Sequence, residues 1–224
     1  MGPFFTLSTE PGEPRAEGFV PLAEVYDGSA REALAGRVAE VGRRLGTGER
    51  RVAASLAHQG LAARLWSVAL GPAALTGHLP DLTGGRLWWH PDRAVPDELR
   101  LPAAGERLPA DRLGEAVLHG HLVPLTEAVR AVSGVSAGLL WGNAASALAG
   151  TLRVLQAWCL GEGGRPGAAA RAAGLTAALL ADPLLRDTGT LDLAGPAAPA
   201  YRRRSCCLYY RVPGGGLCGD CALR

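Results

Sequence analysis

The sequence predicts a mainly α fold with a small β element, an α+β arrangement in which a helical body carries a C-terminal cysteine tail folded onto it. Three observations carry this. Apolar residues recur at helical spacing over most of the chain, a turn-rich stretch across 79–101 interrupts them, and four of the five cysteines fall within the last nineteen residues. With 224 residues, 48% of them apolar and 20% charged, the chain can bury a substantial core.

The elements follow in order. After Asp27-Gly28-Ser29, which can cap a helix, Leu34, Val38, Val41 and Leu45 lie on one helical face, and Gly46-Thr47-Gly48 stops the run. A second helix over 51–71 places Val52, Leu56, Leu61, Leu65 and Val68 on its core face, with Gly60 marking where it could break. Across 79–101 the pieces Gly84-Gly85, Leu87-Trp88-Trp89-His90 and Leu99-Arg100-Leu101, with Pro91 and Pro96 between them, suit a small hairpin or sheet. Helices return over 110–119, 122–132, 136–160 and 168–180. Pro183, Gly189, Gly195, Pro196 and Pro199 then thin out regular structure, and 194–200 is the best linker candidate. The expected division is 1–105, an N-terminal helical and β portion forming part of a binding body; 106–193, a helical portion; and 194–224, the cysteine tail. No repeat of fixed period occurs.

Charge and composition exclude several classes. The net charge is +2, and every basic residue other than histidine is arginine, so there is no polyanion-binding footprint and nucleic acid is not an expected partner. The first eighteen residues have neither a basic n-region nor an apolar run, which predicts a cytoplasmic protein. Residues 131–152 carry no formal charge, but Ser133, Ser136, Asn143, Ser146 and Thr151 interrupt them. That pattern predicts a buried helix of small residues rather than a membrane span. No G-x-G-x-x-G follows a strand and no P-loop occurs, so reducing power, if used, comes from an external donor.

The tail reads Cys206-Cys207-x10-Cys218-x2-Cys221. Without a secretory signal, clustered thiols point to metal or redox chemistry rather than to a disulfide framework. Adjacent cysteines ordinarily point apart, so Cys206 and Cys207 serve one centre only if the backbone turns sharply or the centre holds two metals. A two-iron cluster meets the second condition, because each iron takes two thiolates. Structural zinc usually uses two C-x2-C knuckles, and this chain has one. Spacing alone leaves an iron–sulfur cluster, zinc and redox disulfides open.

The spacing, the run SCCLYYRVPGGGLCGDCAL and the upstream LLWGNAASALAG resemble the FhuF-type ferric siderophore reductases. The resemblance implies a [2Fe-2S] cluster held by Cys206, Cys207, Cys218 and Cys221. It also implies one-electron reduction of a ferric siderophore to release Fe(II), with an external electron donor protein or reductant as the second partner. A ferredoxin-like electron carrier, an iron sensor without turnover and a zinc-stapled partner-binding module stand as the other readings. The first hundred residues carry no motif of the family.

A four-thiolate [2Fe-2S] centre carries about −2 oxidised and about −3 reduced, and cationic neighbours would offset this. Arg202, Arg203 and Arg204 are the candidates, for that role or for binding an anionic substrate, with Arg211 nearby. Gly214, Gly215 and Gly216 could bring backbone N–H groups to the sulfurs, and Tyr209 and Tyr210 could cover the cluster or anchor the tail. Asn143 is expected to make a structural hydrogen bond inside a buried helix, and Cys159 to pack as a small hydrophobe. His119 and His121, two apart, are expected in the core or on the surface rather than as ligands.

Overall fold

The structure, a computed structural model, describes residues 1–103, 105–194 and 199–224. Two long helices organise it, α3 (Arg50–Thr76) and α5 (Ala137–Leu160), with α1 (Leu22–Asp27), α2 (Arg31–Arg44), α4 (Val123–Ser133) and α6 (Pro166–Leu180) around them. The uncharged stretch expected to be a buried helix is α5, and small residues such as Ala144, Ala145 and Ala149 let it approach α3 closely. Trp66 of α3 is fully buried at this contact, its Nε1–H donating to the Ala144 carbonyl at 3.0 Å. Among the described residues no helix is long and apolar enough to cross a membrane.

α3 runs without a break through Gly60, which faces solvent. A glycine there costs about 1 kcal/mol relative to alanine, and the buried face, with Ala54, Leu61 and Leu65, holds the helix regardless. Before α4 the chain is wound as a 3₁₀ turn, Ala110–Arg112, and then a π-helical segment, Gly114–Leu122. The two helices expected over 110–132 therefore form one nearly continuous rod.

The β content is small, as expected, but it recruits strands from beyond 79–101. β1 (Val20–Pro21), β3 (Trp88–Trp89) and β4 (Leu99–Arg100) form an antiparallel sheet in the order β1-β3-β4, with Trp89 buried opposite Val20 and Leu99. β2 (His78–Pro80) pairs with β5 (Arg107–Pro109), joining residues on either side of 105. β6 (Gly189–Asp192) pairs with β7 (Ala200–Arg203) from Gly189 opposite Arg203 to Asp192 opposite Ala200. Of the linker candidate 194–200, residues 195–198 lie outside the described residues. The strands that flank it form a ladder, so the chain enters the cysteine tail from a fixed strand that packs on α5.

The N-terminus lies across α3. Arg64, fully buried, donates to the carbonyls of Phe4, Thr6 (2.8 Å) and Pro96 (3.2 Å), and its Nε lies 2.9 Å from Glu98 Oε1. Burial pushes the Glu98 carboxyl up, and the Arg64 and Arg37 guanidinium groups oppose that rise. Gly71 makes room for this strap, since a Cβ there would stand 2.9 Å from the Phe5 ring.

Candidate metal centre

The chain turns sharply after its adjacent cysteines. Leu208 has φ 69° and ψ 7°, a left-handed conformation that costs a non-glycine residue on the order of 1 kcal/mol. The turn brings the Leu208 N–H to Cys206 Sγ at 3.3 Å, while the Cys207 carbonyl accepts from Ser55 Oγ of α3 at 2.7 Å. A second turn at the glycines sends the chain back. Gly214 has φ 70°, and a Cβ on Gly215 would fall 2.7 Å from the Tyr209 carbonyl oxygen. The Cys218 carbonyl then accepts from the Cys221 N–H at 3.2 Å, and the Leu223 N–H donates to Cys221 Sγ at 3.4 Å.

Cys207 and Cys221 are buried, and Cys206 and Cys218 are half-buried. Burial first, then the hydrogen-bonded Cys207 thiol and nearby Cys221, push the Cys218 thiol up to about 12, with Arg203 working against them. Thiols crowded in this way hold their protons until a metal takes their place. Among the described residues no group of three or more His, Cys, Asp or Glu side chains is arranged to hold a single ion. A two-iron cluster asks for something different, two thiolates at each iron, and the tail supplies cysteines in two pairs on two adjacent turns.

The seat for the tail is built by α5. A Cβ on Gly142 would lie 2.1 Å from Ser205 Oγ and 3.2 Å from Arg203 Nη2, so only glycine lets the tail approach. Asn143, fully buried, donates from Nδ2 to the Ser55 carbonyl (2.8 Å) and accepts on Oδ1 from Arg203 Nη2 (2.6 Å). One amide thus ties α3, α5 and β7 together. The bond to Ser55 is the expected structural one; the bond to Arg203 adds a second role.

Alternation along the strand splits the three arginines. Arg202 and Arg204 point outward, to the Arg224 carbonyl and to Asp187 Oδ1 (3.6 Å) respectively. Arg203 points inward and is 2% exposed. Its Nε donates to the Ser205 carbonyl at 2.9 Å, its Nη1 is buried with no hydrogen-bond partner, and among the described residues it makes no ion pair with a carboxylate. Its charge is felt at Cys218 and at His58, which burial first and Arg203 second push down to about 3. A buried cation without an anion costs several kcal/mol. Thiolates and a cluster of net negative charge are the anions that fit beside it, so the residues present suit an iron–sulfur cluster.

Arg211 lies at the surface, its Nε 2.8 Å from Glu49 Oε2, and Tyr209 and Tyr210 are exposed. His121 is buried between the Tyr26 hydroxyl and the Leu82 carbonyl, both at 2.8 Å, and His119 is exposed beside Asp182. Cys159 is fully buried.

Sequence reasoning missed Ser55, Ser146, Arg153 and Asp220. Asp220 accepts from Ser146 Oγ at 2.6 Å and pairs with Arg153 at 3.0 Å, fastening the Cys218-to-Cys221 turn to α5. The signal was available in the helical spacing of Gly142, Ser146 and Gly150 with Arg153, which lays them along one side of α5. Between that side, α3 and the N-terminal strap lies a cavity of about 470 Å³, bounded by Phe4, Phe5, Gln59, Thr151, Arg153 and Cys218 among others. Phe5 also borders a second cavity of about 460 Å³ that reaches Leu75 and His78 and does not touch the tail.

The tail thus sets four thiols on two tight turns, with backbone N–H groups donating to Cys206 Sγ and Cys221 Sγ and a buried cation nearby. Residues 203–223 match the family model of the FhuF 2Fe-2S C-terminal domain, and the cofactor is a [2Fe-2S] cluster. All four tail cysteines fall inside the match, and the body upstream lies outside it. No curated protein matches the chain.

Proposed function

We propose that this protein is a ferric siderophore reductase, acting in the cytoplasm, with Cys206, Cys207, Cys218 and Cys221 as the cluster ligands. The observation that carries the reading is the match of 203–223 to a FhuF-type [2Fe-2S] segment, in which Arg203 is a buried cation that, among the described residues, pairs with no carboxylate. When bound, the cluster supplies a one-electron carrier between an external reductant, or a donor protein, and the substrate.

The residues of the chain do the rest. The Leu208 and Leu223 N–H groups donate to sulfur and, with Arg203, favour the added negative charge of a reduced centre. Ser55, Asn143 and Asp220 fix the two cysteine turns against α3 and α5. On the substrate, hard oxygen donors grip Fe(III) much more tightly than Fe(II), so one added electron loosens the metal and leaves the chelator intact. Each tenfold preference for Fe(III) lowers the iron couple by about 59 mV, which calls for a low-potential donor.

The test begins with visible and EPR spectra of protein purified without oxygen, before and after dithionite, with iron, sulfide and zinc analysis. A brown chromophore that bleaches with an S = 1/2 signal is expected, followed by Fe(II) release from ferric siderophores into an Fe(II)-specific chelator. Colourless protein holding one zinc, or release no faster than with free reductant, would sink the proposal.

A further inference from the structure

We infer that the cavity of about 470 Å³ beside Cys218 is where the ferric chelate binds, an inference that rests on the reductase reading above. Cys218, Gly219 and Asp220 form one of its walls, so a ligand inside lies against a residue proposed to hold the cluster. Electron transfer weakens steeply with distance, and the second cavity, of similar size, has no such neighbour.

The lining suits a small organic chelate presenting oxygen atoms. Phe4, Phe5 and Val154 offer apolar surface for the chelator skeleton. The Gln59 side-chain amide, without a partner among the described residues, and the Arg153 guanidinium offer N–H donors to its oxygens. The volume falls in the range of about 300–1,000 Å³ usual for small-molecule sites. The walls are already in place, because Arg64 holds the Phe4 and Thr6 carbonyls and Asp220 is held by Ser146 and Arg153. In the step itself, one electron that originates in an external one-electron reductant converts bound Fe(III) to Fe(II). No covalent bond of the chelator breaks, and any oxygen the metal releases takes its proton from water.

Gly150→Phe fills the cavity from α5. A Cβ there meets only Arg153 Nη2, at 3.7 Å, which is ordinary contact, and loss of a helical glycine does not penalise folding. Leu75→Trp, in the second cavity, is the control. Binding is read on the cluster-loaded proteins by equilibrium dialysis with redox-inert Ga(III) tris-hydroxamate and Ga(III) tris-catecholate. Turnover is read as recovery of visible absorption when reduced protein meets the Fe(III) counterparts. Gly150→Phe should keep the wild-type iron content and EPR signal and recover normally with ferricyanide. It should lose about tenfold or more in affinity for whichever chelate the wild type binds, and a similar factor in the chelate-driven rate, while Leu75→Trp matches wild type. Unchanged gallium binding by Gly150→Phe would overturn the site and leave the reductase reading standing. Wild-type protein that binds neither gallium chelate and recovers with neither iron chelate would overturn both.

Discussion

Replacing Arg203 with methionine separates its electrostatic role from its packing role, because the two states of the protein respond with opposite signs. With cluster bound, the guanidinium faces a centre that gains one negative charge on reduction. For an assumed separation of about 7 Å and an effective dielectric of about 20, a unit charge is worth ~2.4 kcal/mol, or about 100 mV for one electron. Water entry and relaxation reduce this, so the potential of Arg203→Met should fall by roughly 50–100 mV. Without cluster, the same side chain is a buried cation whose Nη1 has no partner among the described residues. Its removal relieves a desolvation cost that outweighs the roughly 2 kcal/mol lost with the bonds to Asn143 Oδ1 and the Ser205 carbonyl. The cluster-free variant should therefore unfold at the same or higher urea concentration than wild type. Arg203→Lys keeps the charge, gives up the forked contact to Asn143 and Ser205, and should stay close to the wild-type potential. Spectroelectrochemical titration of the loaded proteins and urea unfolding of the stripped ones provide both readings. A potential for Arg203→Met within about 20 mV of wild type, at full iron content, would refute the electrostatic argument.

Two further perturbations test the surroundings of the centre. Gly142→Ala should cost about 1–3 kcal/mol and lower iron retention, because its methyl group meets Ser205 and Arg203, whereas Gly138→Ala, with open space around its Cβ, should be neutral; equal iron content in the two variants would contradict the seat described for the tail. His58 ionises near 6.5 in the unfolded chain and is held down to about 3 in the fold, so between those values the unfolded chain binds a proton the fold does not. Stability is complete above pH 6.5 and falls as pH drops toward 3, by at most about 1.4 kcal/mol per pH unit for this group, with buried His121 acting in the same direction. His58→Gln should flatten the urea midpoint of the cluster-free protein between pH 7 and 5, and an unchanged slope would show that His58 does not carry the effect.

Helices were legible in the sequence wherever an apolar stripe met a clear stop. The expected 136–160 and 168–180 correspond to α5 (Ala137–Leu160) and α6 (Pro166–Leu180), and Leu34, Val38 and Val41 lie on α2 as their spacing required. Gly60 misled, since a local breaker cannot reveal that tertiary packing on α3 outweighs it. Strands of two or three residues leave no period to read, which is why β1 and β5 were missed. The hairpin β6–β7 was hidden because its Gly- and Pro-rich surroundings resemble a linker, although Tyr201 and Arg203 alternate inward with Arg202 outward. The spacing marked the four cysteines as a metal or redox set, and the resemblance pointed to a [2Fe-2S] cluster. The split of the arginine run was not legible, since it depends on which face of β7 meets α5.

One helix carries both the floor of the cluster seat and a wall of the cavity, so α5 acts as a ruler between them. From Asn143 to Gly150 is two turns, about 10 Å of axial rise. A rigid rod of hydrogen-bonded backbone therefore fixes the spacing between the seat of the tail and the α5 wall of the cavity. A one-residue insertion between Asn143 and Ser146 would rotate the two ends against each other by about 100°. Ser146, Gly150 and Arg153 would then turn away from Cys218 and Asp220, and the cavity would lose the wall that the tail supplies.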